Sequence, residues 1–368
     1  MSKVFSSIQV NSKTLQNRLA LAPMTTQQSL SNGHLSPEET AWLQRTAADG
    51  YGMVISCAAS ISPTAIAFHN QLSLADDSMI PALAKLSANM KTEGSINIIQ
   101  LCHAGSRAIE SLTGEQAHSA SSYTLPMIKD FVPPQALSVS QINHIIQDFV
   151  TACKRAHQAG FDGVELHGAN GYLFTQFFST MTNLRDDEYG GNLANRARFA
   201  REVVKACRAK VPNDFIIGFR ISFENMGLEN GLDIDENIQI INWLAEDGID
   251  YVHTSHLFYT APTQKYPDRV ALSYLRQHIT AKLPLVGVGG IVTVEDAEKA
   301  MELGADIVAI GRAAIANKNL PTYFKNRQAL PYHTPYQEEQ LKEAGISQHF
   351  IDYLKYAPPL ASLHIVSK

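Results

Sequence analysis

Cysteine and tryptophan are scarce in this sequence of 368 residues, which has only four cysteines and two tryptophans. The cysteines are far apart and form no C-x-x-C pair, so their spacing argues against a zinc or iron–sulfur site. They are Cys57, Cys102, Cys153 and Cys207. We expect reduced thiols in a cytoplasmic protein.

Long apolar runs are also missing from the sequence. No stretch is long enough to span a bilayer, and the N-terminal residues lack the apolar segment of a secretory signal. The formal net charge is −5, which makes nucleic acid and anionic membranes poor partners. We therefore expect a cytoplasmic protein that acts on a small molecule, with no nucleic-acid or membrane partner. The sequence allows a homo-oligomer without requiring one.

Eight short apolar runs recur along the chain. They are Leu19–Met24, Met53–Ala59, Ile96–Leu101, Gly163–His167, Phe215–Ile221, Tyr251–Ser255, Leu285–Val288 and Asp306–Ile310. Several lack polar alternation, which is typical of parallel strands that are covered on both faces. Periodic stretches between them predict helices, including Ser140–Ala159, Leu193–Lys210 and Asp235–Asp247.

Three of the predicted helices end in a glycine just before the next strand. Gly160, Gly248 and Gly304 each occupy this place, which suits a left-handed C-cap and a short loop. Eight repeats of strand, helix and glycine turn predict an α/β fold closed into a (β/α)8 TIM barrel. The alternative is an open doubly wound sheet, but no Gly-x-Gly-x-x-Gly follows the first strand.

Segments outside the repeat have their own predicted structures. Phe5–Leu15 is predicted as a strand pair that plugs the barrel floor. The barrel itself covers about residues 16–330, and a tail of about residues 331–368 contains predicted helices at Gln337–Ala344 and Ser347–Tyr356. The long loop Ser106–Pro134 is expected to shape a substrate pocket. We predict one domain, residues 1–368.

Glycines follow the last two predicted strands, at Gly287-Val288-Gly289-Gly290 and at Gly311-Arg312. Backbone N–H groups at such turns approach an anion closely, and an arginine can add a charge-assisted fork. This is the usual place for phosphate in a barrel. Both a phosphorylated sugar and flavin mononucleotide (FMN) fit the pattern, and glycines that only make tight turns are the structural alternative.

The fourth strand is followed by a polar cluster of His167, Asn170 and Tyr172. Two hydrogen-bond donors and a phenol suit a carbonyl or nitro oxygen that gains charge during a reaction, with a proton source nearby. A structural histidine beside a capping asparagine explains the spacing equally well. Spacing alone therefore leaves both interpretations open.

Five separated motifs, in order, resemble the Old Yellow Enzyme family of flavin reductases. They are Asn17-Arg18-Leu19-Ala20-Leu21-Ala22-Pro23-Met24-Thr25, Ile99-Gln100-Leu101-Cys102-His103-Ala104-Gly105, Glu165-Leu166-His167-Gly168-Ala169-Asn170-Gly171-Tyr172-Leu173, Arg185-Asp186-Asp187-Glu188-Tyr189-Gly190-Gly191 with Asn195-Arg196-Ala197-Arg198-Phe199, and Ile310-Gly311-Arg312. The resemblance covers roughly residues 1–330. Any one motif alone is weak, but the ordered set is specific.

The resemblance implies an oxidoreductase with non-covalent FMN as cofactor and NADH or NADPH as reductant. Hydride passes from the nicotinamide to flavin N5 and then to the β-carbon of an electron-poor alkene, such as an enone, enal, nitroalkene or maleimide. The cofactor carries the redox chemistry, and the protein supplies orientation and electrostatics.

Each implied site residue is transferred by its position in these motifs. The implied cofactor-binding residues are Ala22, Pro23, Met24, Thr25, Ala58, Gln100, Arg220, Gly289, Gly290, Gly311 and Arg312. Within this set, Thr25 would hydrogen-bond near the flavin C4 carbonyl, and Gln100 and Arg220 would contact the pyrimidine edge.

The implied catalytic residues are those of the strand-four cluster. His167 and Asn170 would bind the substrate oxygen, and Tyr172 would protonate the α-carbon. Phe68 falls near the place where relatives have an aromatic wall over the flavin. No metal site is implied.

The chain departs from some branches of the family at defined positions. Thr25 and Gln27 stand where one branch has cysteine and tyrosine, and Cys102 stands where another has tryptophan, which predicts a wider pocket. Asn170 replaces a second histidine, and of the two donors only histidine can become charged. The Arg185–Gly191 loop is interpreted as structural.

Three other functions compete with an ene-reductase. A fused dienoyl-CoA reductase would need an iron–sulfur cysteine cluster and a second dinucleotide domain, and neither is found in the sequence. A non-catalytic FMN-binding module that acts through a partner and a phosphosugar enzyme without flavin both remain as alternatives.

Overall fold

The computed structural model describes residues 2–125, 131–225 and 231–356. Eight parallel strands form a closed barrel in it, and each corresponds to one of the eight apolar runs. The strands are β1 (Leu19–Leu21), β2 (Met53–Ser60), β3 (Ile96–Cys102), β4 (Gly163–Gly168), β5 (Ile216–Ile221), β6 (Tyr251–Thr254), β7 (Leu285–Val288) and β8 (Ile307–Ile310). The predicted TIM barrel is confirmed.

Neighbours in the barrel follow chain order, and β8 pairs with β1 to close it. The pairing of β4 with β5 sets Glu165 beside Gly218 and His167 beside Arg220. Because side chains alternate along a strand, all four of these positions point to the same side of the sheet. The residues between them, such as Leu166 and Phe219, are buried under the surrounding helices.

The helices described in the structure surround the barrel and continue into the tail. They are α1 (Pro37–Ala48), α2 (Ile80–Thr92), α3 (Glu110–Thr113), α4 (Val139–Gln158), α5 (Leu173–Phe178), α6 (Leu193–Arg208), α7 (Ile234–Asp247), α8 (Ala271–His278), α9 (Val294–Glu302), α10 (Arg312–Ala316), α11 (Leu320–Lys325), α12 (Glu338–Glu343) and α13 (Gln348–Tyr356). The three helices predicted from periodicity are α4, α6 and α7. The three glycines after α4, α7 and α9 have φ of 77°, 112° and 118°, which confirms their left-handed conformation.

Two helices begin earlier than their sequence patterns predicted. The N-cap of α4 is Ser138 rather than Ser140, and Ser138 forms a capping box with Gln141. The N-cap of α7 is Asp233 rather than Asp235, and its carboxylate accepts hydrogen bonds from two backbone N–H groups. In both cases two candidate caps lie two residues apart, and the apolar periodicity cannot choose between them.

The floor of the barrel is plugged, as predicted, by a short antiparallel hairpin of Ile8–Val10 and Lys13–Leu15. Val10 and Leu15 are fully buried and belong to the apolar cluster inside the barrel, together with residues such as Met53 and Ile98. The plug closes the N-terminal end. Access to the interior is therefore left at the opposite end, where the strands finish.

The tail packs on the barrel through α12 and α13. The ring of Phe350 meets Trp42 edge-on, with centroids 5.7 Å apart. Arg45 of α1 donates to the carbonyl of Ala344 at 2.9 Å. The predicted tail helices are confirmed with slightly shorter bounds. Residues 357–368 of the tail lie outside the described residues, as do residues 126–130 of the predicted substrate loop.

Across the described ranges, no helix has the length and apolar character that crossing a membrane requires. The four cysteines are buried and none forms a disulfide.

The observed cap of α4 gives a matched test of the fold. Replacing Ser138 with Ala removes the acceptor for the Gln141 N–H, so we expect the free energy of unfolding to fall by about 1 kcal/mol. Ser140→Ala is the control, because Ser140 lies inside the helix and provides no cap. Urea titration of both variants measures the difference, and an equal effect of the two substitutions would contradict the assignment.

Candidate active site

The C-terminal ends of the strands bring several predicted site residues together. Ala58, Phe68, Cys102 and Tyr172 form one small apolar cluster, separate from the main core. Each is less than 10% exposed. The predicted aromatic wall and the predicted proton donor therefore line the same side of the barrel mouth.

His167 is the inward-facing polar residue near the end of β4. It is 4% exposed, and its ring meets Tyr172 edge-on with centroids 4.9 Å apart. Burial lowers the pKa of His167 well below its ordinary value, and the nearby Arg220 lowers it further. The imidazole is therefore neutral at physiological pH. Its Nδ1 is buried and has no hydrogen-bond partner in residues 2–125, 131–225 and 231–356.

Asn170 is held in an orientation that leaves a donor free. Its backbone has φ of 60°, and its N–H donates to Ser222 Oγ at 3.0 Å. Its side-chain Oδ1 accepts from Ser255 Oγ at 2.9 Å. Since Oδ1 is fixed by Ser255, the amide Nδ2 is left available to donate. No acceptor for it is found within the described parts of the chain.

Tyr172 contacts a cation that the sequence analysis did not single out. The Arg107 guanidinium carbon lies 5.0 Å from the Tyr172 ring centroid, and Arg107 Nη1 donates to the carbonyl of Asn170 at 2.5 Å. Burial raises the pKa of Tyr172, and Arg107 offsets this only in part. The phenol therefore remains protonated across the neutral range. Arg107 lies only two residues beyond the third-strand motif, which ends at Gly105. Its place in the sequence could therefore have identified it as a residue near the site.

A buried polar network lies deeper in the barrel, around Glu165 of β4. The carboxylate accepts from Gln100 Nε2 at 2.7 Å, from the Tyr251 phenol at 2.9 Å and from His253 Nδ1 at 2.9 Å. Burial alone would raise the pKa of Glu165, but His253, Arg220 and Gln100 lower it below its ordinary value. The carboxylate is thus ionised and hydrogen-bonded inside the barrel.

Gly218 of β5 makes this network sterically possible. It pairs with Glu165 on one side and with Tyr251 on the other. A Cβ on Gly218 would lie 2.0 Å from Tyr251 Cζ, so the phenol reaches Glu165 across the missing side chain. Sequence analysis missed this role because it depends on which residues pair across three strands.

Gln100 and Arg220 lie beside Glu165 inside the barrel. Gln100 uses Nε2 toward Glu165, which leaves its Oε1 to accept from a ligand N–H. Arg220 Nη2 donates to Ser255 Oγ at 3.2 Å, and its Nη1 lies 3.4 Å from the Pro23 carbonyl. Arg220 thereby connects the end of β1 with the ends of β5 and β6.

The predicted phosphate residues meet on the far side of the mouth. Gly289 and Gly290 have φ of 119° and 68°, and a Cβ on Gly289 would lie 2.6 Å from the His256 carbonyl oxygen. A Cβ on Gly311 would contact Met24 Sδ at 3.4 Å and Ala22 Cβ at 3.8 Å. The end of β1 therefore lies directly beside the end of β8, as the predicted cofactor contacts require.

Arg312 is a half-buried cation without a protein counter-charge in the described ranges. Its guanidinium carbon lies 5.9 Å from the Phe258 ring centroid, and no carboxylate is within ion-pair distance. Burial lowers the pKa of Arg312. A bound phosphate would supply the missing anion.

These residues fit a flavin mononucleotide. The buried, unpartnered Nδ1 of His167 and the uncompensated Arg312 lie at the barrel mouth, and glycine turns follow β7 and β8. Ala58 and Phe68 form an apolar wall that suits the flat ring of a flavin. The apolar wall and the donor set match the predicted cofactor better than a small phosphosugar, which would leave the apolar wall unused.

The tail also reaches the site, which sequence analysis did not predict. The Thr25 hydroxyl faces the phenol of Tyr353 in α13. Burial raises the pKa of Tyr353, while Thr25 and Arg107 moderate the rise. Ser347 fixes the tail nearby by donating to Gln28 Oε1 at 2.5 Å. The tail therefore packs on the barrel and also contributes a side chain to the pocket.

The Arg185–Gly191 loop is structural, as predicted. Arg185 donates to the carbonyls of Ala120 and Leu137 at 2.6 and 2.5 Å and forms a fork with Asp187. It ties the substrate loop to the segment after α5 and places no charge in the pocket.

Comparison with known proteins agrees with this geometry. The sequence profile of the NADH:flavin oxidoreductase / NADH oxidase family matches residues 3–330. The chain is 32% identical over 340 residues to a probable NADH-dependent flavin oxidoreductase, YqiG, of Bacillus subtilis (strain 168), covering 88% of this chain and 90% of that protein. It is also 36% identical over 315 residues to the NADH:fumarate oxidoreductase of Klebsiella pneumoniae (strain 342), covering 83% of this chain. The chain spans only 34% of the length of that relative.

Solved structures show the same architecture. An Old Yellow Enzyme homologue from Zymomonas mobilis superposes with a TM-score of 0.80 at 25% identity, covering 92% of this chain and 96% of that one. Morphinone reductase in complex with tetrahydroNAD superposes with a TM-score of 0.78 at 27% identity, covering 92% and 93%.

The protonation state of His167 can be measured directly. Because burial lowers its pKa, we expect the His167 imidazole to stay neutral from pH 8 down to 5.5. In the unfolded chain it would gain a proton near pH 6.5. Nitrogen-15 NMR of the holoprotein, with the signal assigned by its loss in His167→Asn, should show no change over this range. Free histidine in the same buffer is the reference, and a midpoint near that of free histidine would contradict the burial argument.

Proposed function

The chain belongs to the NADH:flavin oxidoreductase / NADH oxidase family, which includes Old Yellow Enzyme, and its cofactor is FMN with NADH or NADPH as reductant. From this premise we propose that it is an ene-reductase, which reduces the C=C bond of electron-poor alkenes. Enones, enals, nitroalkenes and maleimides are the proposed substrates. We further propose the site residues named above for the roles that the sequence resemblance implies.

The observation that carries this proposal is the free donor pair at the end of β4. His167 is neutral and Asn170 has its amide oriented by Ser255, so both can donate to one oxygen. A carbonyl or nitro oxygen gains negative charge as hydride reaches the β-carbon, and preorganised donors stabilise that charge. Neutral donors do so without adding a buried charge to the pocket.

FMN, when bound, supplies the hydride transfer between the nicotinamide and the alkene. In this proposal Ala22, Pro23 and Met24 line the cofactor and Gly289, Gly290, Gly311 and Arg312 hold its phosphate. Thr25, Ala58, Gln100 and Arg220 contact the ring system, with Arg220 favouring negative charge at the pyrimidine edge.

Tyr172 is suited to donate a proton to the α-carbon. Its phenol is buried, protonated and next to His167, on the wall shared with Phe68. Arg107 lies close to the ring and would stabilise the phenolate that remains after donation. Protonation of the phenolate from solvent would then complete the cycle.

Anaerobic stopped-flow spectroscopy tests the function. We expect the purified protein to be yellow, to lose its flavin absorbance on mixing with NADH or NADPH, and to regain it when an enone such as cyclohexenone is added. A yellow protein that neither nucleotide bleaches would favour a non-catalytic FMN module. A colourless protein that fails to bind FMN would favour a phosphosugar enzyme.

The proton-donor role of Tyr172 makes a specific kinetic prediction. Tyr172→Phe keeps the ring and removes the proton, so enone reduction should slow by about 10²-fold or more, as for loss of a general acid. Flavin reduction by the nicotinamide should keep its rate, since that step needs no proton from Tyr172. Equal loss in both half-reactions would rule the role out.

His167 and Asn170, which we call the oxygen clamp, predict a change in ligand affinity. With His167→Ala and Asn170→Ala combined, a phenolic ligand loses two donors, and we expect its Kd to rise by about 10²-fold or more. Titration of the flavin absorbance with 4-methylphenol measures this. Ser140→Ala, an exposed position within α4, serves as the control, and unchanged affinity in the double variant would contradict the assignment of His167 and Asn170.

A further inference from the structure

Arg107 is held rigidly beside the proposed oxygen clamp. It ends the turn Gly105–Arg107, which directly follows β3. Gly105 has φ of 60°, and a Cβ there would lie 2.2 Å from Gln176 Oε1 of α5. Ser106 N–H also donates to that oxygen at 3.0 Å. The turn is therefore pinned to α5, and the direction of the arginine side chain is set by packing.

The guanidinium is fixed by both neighbours of the clamp. Its Nη1 donates to the backbone carbonyl of Asn170, and its central carbon lies 5.0 Å from the ring centroid of Tyr172. These two contacts orient the group but use only one of its five N–H donors. The side chain is otherwise exposed, so the remaining donors are open to a ligand.

No negative charge balances Arg107 in the described parts of the chain. No carboxylate of those residues lies within ion-pair distance of it. The titratable groups facing it are Tyr172, Tyr353, Tyr123, Cys102 and His167. Burial raises the pKa of the three phenols and the thiol and lowers that of His167, so all five are neutral near pH 7. Arg220, by contrast, has the carboxylate of Glu165 nearby.

We propose that Arg107 is an anion-recognition residue, and that the preferred substrates are alkenes carrying a carboxylate in addition to the activating carbonyl. This inference rests on the proposed function. The carbonyl oxygen would bind His167 and Asn170, and the carboxylate would accept a fork of hydrogen bonds from Arg107. The alkene gains one hydride and one proton, NAD(P)H becomes NAD(P)⁺, and the carboxylate is unchanged.

A matched pair of substrates separates charge recognition from general activity. Monomethyl fumarate carries an ester and a carboxylate, whereas dimethyl fumarate carries two esters. We expect kcat/KM of the wild-type enzyme to favour the monoester. In Arg107→Gln the value for the monoester should fall by about 10- to 100-fold, the usual effect of losing hydrogen bonds to a charged group. Loss of phenolate stabilisation by Arg107 would slow both esters alike, so the test is the ratio of the monoester value to the diester value, which should fall by about tenfold or more.

Two further variants separate the fork geometry of the Arg107 guanidinium from the effect of its positive charge. Arg107→Lys keeps the charge without the fork, so it should recover only part of the preference for the monoester. Arg269→Gln removes an exposed arginine from the loop after β6 and is the matched control, with no expected change in the ratio.

Binding provides a readout that does not depend on turnover. We expect 3- and 4-hydroxybenzoate to bind the wild-type holoprotein more tightly than the corresponding hydroxybenzamides, as measured by calorimetry. Arg107→Gln should raise the Kd of the tighter benzoate by about tenfold or more and leave that of the amides unchanged. Added salt should weaken the benzoates selectively.

The outcomes distinguish failure of this inference from failure of the proposed function. If the wild-type enzyme reduces neither cyclohexenone nor either ester, the proposed function fails. If it reduces cyclohexenone but not the monoester, the proposed function holds and this inference alone is overturned. If it reduces both esters and Arg107→Gln slows them equally, Arg107 is only structural and the inference is overturned. If Arg107→Gln instead slows flavin reduction by NADH or NADPH by the same factor, the anion recognised is the phosphate of the nucleotide, and the inference is again overturned.

Discussion

The carboxylate of Glu165 lies fully buried inside the barrel, and the arrangement of the site depends on how that charge is satisfied. An ionised carboxylate without partners would be strongly destabilising there. Gln100 on β3 and Tyr251 and His253 on β6 donate to it, and Arg220 lies nearby on β5. Four strands are thus tied to one anion at the level just below the barrel mouth.

This arrangement also sets what the groups above it can do. Gln100 donates a hydrogen bond from Nε2 to the carboxylate, which leaves its Oε1 as an acceptor for a ligand. Arg220 lies close enough to Glu165 for its charge to be partly balanced, and through Ser255 it is linked to the amide of Asn170. The neutral state of His167 follows from its burial beside the Arg220 cation. Within residues 2–125, 131–225 and 231–356, the pocket therefore presents neutral donors and phenols together with two uncompensated cations, Arg107 and Arg312.

Much of this was accessible from the sequence. The eight apolar runs predicted every barrel strand within a few residues. Strands that are buried on both faces are apolar at consecutive positions, so they stand out in the sequence. The glycines before β4, β6 and β8 predicted left-handed turns that only a residue without Cβ adopts easily. Motif resemblance added the family and the expected roles of His167, Asn170 and Tyr172. The exact helix starts were not predicted, because neighbouring serines and aspartates compete for the same cap.

The sequence by itself determined the barrel, its plug and which strand ends carry polar groups, since these follow from local patterns of apolar residues and glycine. Only the tertiary structure decided that Gly218 opens the path from Tyr251 to Glu165, that Tyr353 of the tail meets Thr25, and that Arg107 lies against Asn170 and Tyr172. These contacts join residues on different strands or helices, and their distances depend on strand register and on the packing of the tail. The polar cluster after β4 is a local feature of the chain, but its electrostatic surroundings are set by the closed barrel.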